Sequence, residues 1–159
     1  MTNNRGYTLI ELLVVVSVAT ILTAALAFSF QGWMGSYQVE SQTKTLYTDL
    51  INARARAMQI NRSHFVDVKA NNYRIFEDTI ENETLDAGDA PIPGFTNPKR
   101  LEYASVWTGI ITMDTKGTID TAADIIFDKR SNTPDYDCVV LSPVQIKMGQ
   151  VKGGVCEER

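Results

Sequence analysis

The residues that could do chemistry begin with a carboxylate in an unusual place. Glu11 opens a run, Leu12 to Phe30, built almost wholly of Leu, Val, Ile, Ala and Phe with a few Ser and Thr, and no charged residue follows until Glu40. A charge at membrane depth costs at least a few kcal/mol unless it is paired, so Glu11 asks for a partner. Just before it stands a short polar head ending Arg5-Gly6-Tyr7. The remaining candidates are sparse. The single histidine, His64, is expected at a strand start as a surface or capping residue rather than a base. Asp78, Glu81, Glu83, Asp86 and Asp89 offer hard oxygens for calcium, but their spacing matches no calcium loop and reads as a solvated acidic segment. Arg54, Arg56 and Arg62 cluster, but among acids, and read as a solvated helix face. No phosphate loop, nucleophile elbow or metal-ligand spacing occurs, so no catalytic residue, no metal ligand and no cofactor is expected.

The elements that must position Glu11 follow from the apolar run. About 20 such residues span a bilayer as a helix. A secretory signal peptide fits poorly: it needs a positive start and an apolar core of about 7–15 residues, without a carboxylate. A membrane anchor fits better, with Arg5 on the cytoplasmic side and the body outside. The chain has 159 residues, enough for one modest domain, and its net charge of −4 comes with no basic stripe that would favour nucleic acid.

Beyond the run the helix continues. Val39, Thr43, Leu46, Leu50, Ala53, Ala57 and Ile60 fall at helical spacing on one face, and no proline precedes Pro91. Asn61 is the expected stop, which gives a helix from Thr8 to Asn61 roughly 80 Å long. Gly32 and Gly35 mark a flexible point, and Trp33 and Tyr37 suit a membrane interface. From Ser63 the period changes. "HFVDVKANNYRIFED" reads as a hairpin turning at Ala70-Asn71-Asn72, and "ENETLDAGDAPIPGFTNPKR" as a loop. "EYASVW", "GIITMDT", "DIIFDK", "DCVVLS" and "VQIKMG" read as short strands. The fold class is α+β: a long N-terminal helix packed on a C-terminal antiparallel sheet domain. The segments are 1–6 (polar head), 7–30 (transmembrane), 31–61 (amphipathic helix) and 62–159 (β-domain).

"RGYTLIELL" followed by the apolar run resembles the class III signal of type IV pilins and type II secretion pseudopilins. The resemblance implies cleavage by a prepilin peptidase between Gly6 and Tyr7, and N-methylation of Tyr7, where the family usually has Phe. It implies that Glu11 pairs with the N-terminal amine of a neighbouring subunit during assembly. Two opposite charges buried together cost less than either alone, which is the physical sense of that pairing. A proline common in the family's first helix is replaced near Phe28. "TLYTDLINARARAMQINR" with its hairpin, and "DIIFDKRSNTPDYDCVVLSPVQIKMGQVKGGVC", resemble the H-type pseudopilins and the FimT/FimU-type minor pilins, the GspH/FimT family.

That resemblance implies a minor pilin or pseudopilin, not an enzyme. It would be held in the inner membrane with a periplasmic β-domain until assembly into a pilus or pseudopilus. The partners implied are other pilins, the prepilin peptidase, the inner-membrane assembly platform and the membrane. A major pilin, a DNA receptor and an anchored enzyme are the alternatives. DNA-binding relatives carry a basic segment after a Ser-Pro turn; here "SPVQIKMG" offers only Lys147, with Lys152 beyond, too few cations for a phosphate groove. Cys138 and Cys156 would face an oxidising compartment. As in many pilins, a bridge between them would staple the tail for about 3 kcal/mol; two free thiols are the alternative.

Overall fold

The computed structural model describes residues 7–129 and 132–159; of residues 25–31 it describes the backbone only. The expected leader 1–6, with Gly6, lies outside the described residues. The chain divides into two compact units, Met1–Gly35 and Ser36–Arg159.

One helix, α1 (Leu9–Ile60), serves both units and is continuous through Gly32 and Gly35. Its ends are set by side chain and backbone chemistry. Thr8 is the N-cap: its Oγ1 accepts the Glu11 N–H at 3.3 Å, and its carbonyl accepts the Leu12 N–H. At the other end Asn61 adopts φ 55°, and the Arg62 N–H reaches back to the Ala57 carbonyl at 3.2 Å. This is a Schellman cap with Asn in the left-handed position that glycine usually takes.

In the unit from Ser36 onward, α1 buries the expected stripe. Val39, Thr43, Leu46, Leu50, Ala53 and Ala57 are fully enclosed, and Thr43 satisfies its hydroxyl on the Val39 carbonyl. Ile60 closes the helical pattern in sequence but is exposed.

Among the described residues, nine strands follow. β1 (His64–Lys69) and β2 (Asn72–Glu77) form the expected hairpin, with Asn72 belonging to β2 rather than to the turn. β5 (Gly109–Met113) pairs with the other edge of β1. Two short pieces, β3 (Ala90–Pro91) and β4 (Lys99–Arg100), rise from the expected loop and pair with β2. Val66, Val68, Tyr73, Ile75, Ile111 and Met113 are buried in one core cluster with the α1 stripe.

A second antiparallel sheet runs in sequence order through β6 (Ala123–Ile126), β7 (Cys138–Leu141), β8 (Ile146–Lys152) and β9 (Val155–Glu158). The Ser142-Pro143 turn joins β7 to β8, with Ser142 and Gln145 exchanging backbone bonds. Gly153 and Gly154, at φ 58° and 88°, join β8 to β9. Two successive positive φ values define the type I′ turn that favours tight hairpins. β9 was not foreseen as a strand.

"EYASVW" is not a strand. The Glu102 and Tyr103 N–H groups donate to the Gln42 side-chain oxygen, Ser105 to the Ala70 carbonyl and Val106 to the Ile126 carbonyl. The segment therefore crosses from helix to first hairpin to second sheet, its amides bonding to a side chain and to two separate carbonyls rather than to one neighbouring strand.

Candidate functional site

The residues singled out in sequence fall in two places. The first is the start of α1. Tyr7 is 86% exposed, and every residue from Tyr7 to Ala24 is exposed on all sides of the helix. A helix that is apolar all round needs lipid or other helices around it. Its polar groups are prepared for such surroundings. Ser17, Thr20 and Thr23 each donate to the carbonyl four residues earlier, at 2.7–2.8 Å. These three hydroxyls therefore do not depend on water for a partner. Among the described residues, no helix is long and apolar enough to cross a membrane. The expected span ran to Phe30, and the side chains of 25–31 are outside the description.

Glu11 occupies the third position of the helix, in a Thr8-x-x-Glu11 arrangement that matches a capping box. The positive end of the helix dipole favours its carboxylate there. Thr8 was missed as a functional residue in sequence, although this spacing is the signal that would have found it.

The second place is the end of the second sheet. Cys138 and Cys156 are joined and buried. They lie on β7 and β9, two strands that do not pair but flank β8. Flat sheets would hold such strands about 9.6 Å apart, yet the two Cα atoms are 6.1 Å apart. β9 curls over β8, and the place it crosses is Gly149. A Cβ there would meet the Glu157 carbonyl oxygen and lie 2.8 Å from Cys156 Sγ. Beside the bridge, fully buried Asp137 accepts the Val151 N–H at 2.6 Å and the Lys129 ammonium at 2.5 Å.

The other candidates are held by their own neighbours. Asp78 accepts N–H bonds from Asn82 and Glu83, and Asp89 from Thr79 and Asp86. These carboxylates fold the acidic loop, and among the described residues no three metal-binding side chains converge. Arg56 and Arg62 share Glu77 at 3.6 and 3.3 Å, and Arg62 also meets Glu81. Lys147 pairs with Glu158 and Lys152 with Glu157. His64, expected at the surface, is buried, because its side chain shares the inward face of β1 with Val66 and Val68.

Two open hollows flank α1, of about 380 and 470 Å³. Between them Asp49 receives the Tyr73 hydroxyl at 2.5 Å and the Lys99 ammonium at 2.6 Å, and Lys99 lies over the Phe95 ring. Burial, then the Asp49 carboxylate, pushes the Tyr73 phenol far above its ordinary value. The group ties α1 to β2 and β4. The sequence pattern had not linked these residues.

A protein-family model, the prokaryotic N-terminal methylation motif, matches residues 1–27. The chain carries a type IV pilin signal. That signal implies processing by a prepilin peptidase, membrane anchoring and assembly with other pilins. Comparison with curated proteins and with solved structures finds no match. The α+β fold described above is consistent with a pilin-like architecture. The match covers Gly6, Tyr7 and Glu11 as parts of one signal and stops short of the β-domain.

Proposed function

We propose that the chain is a minor pilin or pseudopilin of the GspH/FimT type. It would be a structural subunit that joins or primes a type IV pilus or type II secretion pseudopilus, and not an enzyme. The observation that carries this reading is the methylation motif on 1–27, set on a helix exposed and apolar on every side with its carboxylate in the first turn. The peptidase cuts between Gly6 and Tyr7, and Tyr7 is N-methylated. The run 7–30 holds the subunit in the inner membrane with the β-domain on the periplasmic side. Glu11 then meets the amine of a neighbour's first residue. Removing either partner of such a buried pair costs several kcal/mol, which makes the pairing selective for one stagger of the helices. The sequence of the hairpin, Ser-Pro turn and final cysteine supports the minor-subunit reading.

A DNA receptor is disfavoured by a specific observation. Arg56, Arg62, Lys147 and Lys152 already face carboxylates, so a phosphate would have to displace them.

The test is the intact mass of the protein from membranes and from sheared surface filaments. A mass beginning at Tyr7 with one added methyl group, and a low ratio to another pilin in the filaments, is the expected result. Retention in membranes alone favours a secretion pseudopilus. A chain still beginning at Met1 in cells with an active peptidase overturns the reading. Glu11→Ala should leave processing intact and abolish incorporation; normal incorporation would remove the charge-pairing role.

A further inference from the structure

The junction where α1 hands the chain to β1 contains a group that neither the filament role nor the fold explains. His64 is wholly buried three residues after the helix cap at Asn61. Its Nδ1 lies 3.0 Å from the Arg62 carbonyl oxygen. A carbonyl accepts, so Nδ1 carries the proton and the neutral ring presents a bare lone pair at Nε2. Nε2 is itself buried and meets no hydrogen-bond partner among the described residues.

The neighbours decide what a second proton would do. From α1 the facing charged group is the Arg56 guanidinium, and from β2 it is the Glu77 carboxylate, the register partner of His64. From β5 it is Met113, which does not titrate. Glu77 is already shared by Arg56 and Arg62. An imidazolium at this point would be a third cation on one carboxylate, with a buried N–H that has nothing to donate to. Burial pushes the imidazole below its ordinary value, further than the Arg62 carbonyl and Glu77 raise it.

We propose that His64 is an acid-sensitive latch: its protonation opens the α1–β1 junction and frees the first strand from the helix end. The direction follows from linkage. A base with a lowered folded-state pKa contributes stability above its unfolded value near 6.5, and that contribution is lost as pH falls toward the folded value. Each unit of lowering is a tenfold change in the opening equilibrium.

The chain has one histidine, so one imidazole signal in the NMR spectrum of the full chain in detergent micelles reports it without ambiguity. The imidazole is expected to titrate below 6.5. Exchange of the His64–Val66 amides, corrected for its intrinsic pH dependence, should rise as pH falls from 6.5 toward that titration, tenfold for each unit between them, and level off below it. His64→Gln keeps Arg56, Arg62 and Glu77 and should flatten the rise. An imidazole titrating at or above 6.5, or an equal rise in His64→Gln, overturns the proposal. The imidazole titration of the unaltered chain decides it even where the variant does not fold.

Discussion

Gly149→Ala puts the smallest possible addition at the place where the bridge crosses β8. The backbone there does not need glycine for its dihedral angles, since Gly149 is not among the residues with positive φ. Any loss therefore comes from contact alone. The new methyl would fall on the Glu157 carbonyl oxygen and within 2.8 Å of Cys156 Sγ. One obstacle is main chain and the other is tethered by the disulfide, so neither can swing aside as a free side chain would. Overpacking of this kind costs about 1–3 kcal/mol, and the lower entropy of Ala in the unfolded chain returns about 0.4–1 kcal/mol. A net loss of about 1.3 kcal/mol is expected. Urea denaturation of the oxidised full chain in detergent, read by circular dichroism, measures it. In a Cys138→Ala/Cys156→Ala background the loss should shrink without vanishing, because the sulfur contact is gone and the carbonyl contact stays. A Gly149→Ala protein within about 0.5 kcal/mol of the parent would refute the crossing geometry.

Other outcomes follow from the same structure. Reducing the Cys138–Cys156 bridge, which closes a separation of 18 residues, should cost about 3 kcal/mol in the same denaturation experiment. Asp137→Ala leaves the Val151 N–H without its acceptor and Lys129 with only the Val151 carbonyl at 3.4 Å, and should cost about 3 kcal/mol, whereas a loss under about 1 kcal/mol would mean water replaces the carboxylate. Tyr73→Phe removes one hydrogen bond to Asp49 while keeping the ring, and a loss of about 1 kcal/mol is expected in thermal melts. Thr8→Ala removes the N-cap and should raise amide exchange at Glu11 several-fold, as expected for the loss of roughly 1 kcal/mol.

The helix was legible because its signals are local. A stripe at helical spacing from Val39 to Ala57 and an Asn at the stop need no knowledge of what packs on them, and the first hairpin shows the same economy. Ile60 continued the period but lies in the last turn, beyond the sheet that covers the stripe. "EYASVW" misled because its burial alternates as a strand's would, with Leu101, Tyr103 and Ser105 inward. Alternation reports which side chains face the core, and not where the amides go. His64 was misplaced for a related reason: a lone polar residue at a strand start carries no mark of the face it will take. Among the site residues, the signal around Glu11 is contiguous and could be read directly. The ties Asp49–Lys99, fifty residues apart, and Lys129–Asp137, eight apart, join residues whose pairing only the folded chain defines.

The order of strands in the second sheet has a kinetic side. β6, β7, β8 and β9 each pair with the next strand along the chain, whereas β5 must find β1 across more than thirty intervening residues. Loop closure makes distant pairing slow and neighbour pairing fast. The meander from Ala123 to Glu158 is thus the part of the β-domain able to gather itself first, before the helix-backed sheet has closed. It brings Cys138 and Cys156 together early, so oxidation would act on an already curled strand rather than select among loose conformations.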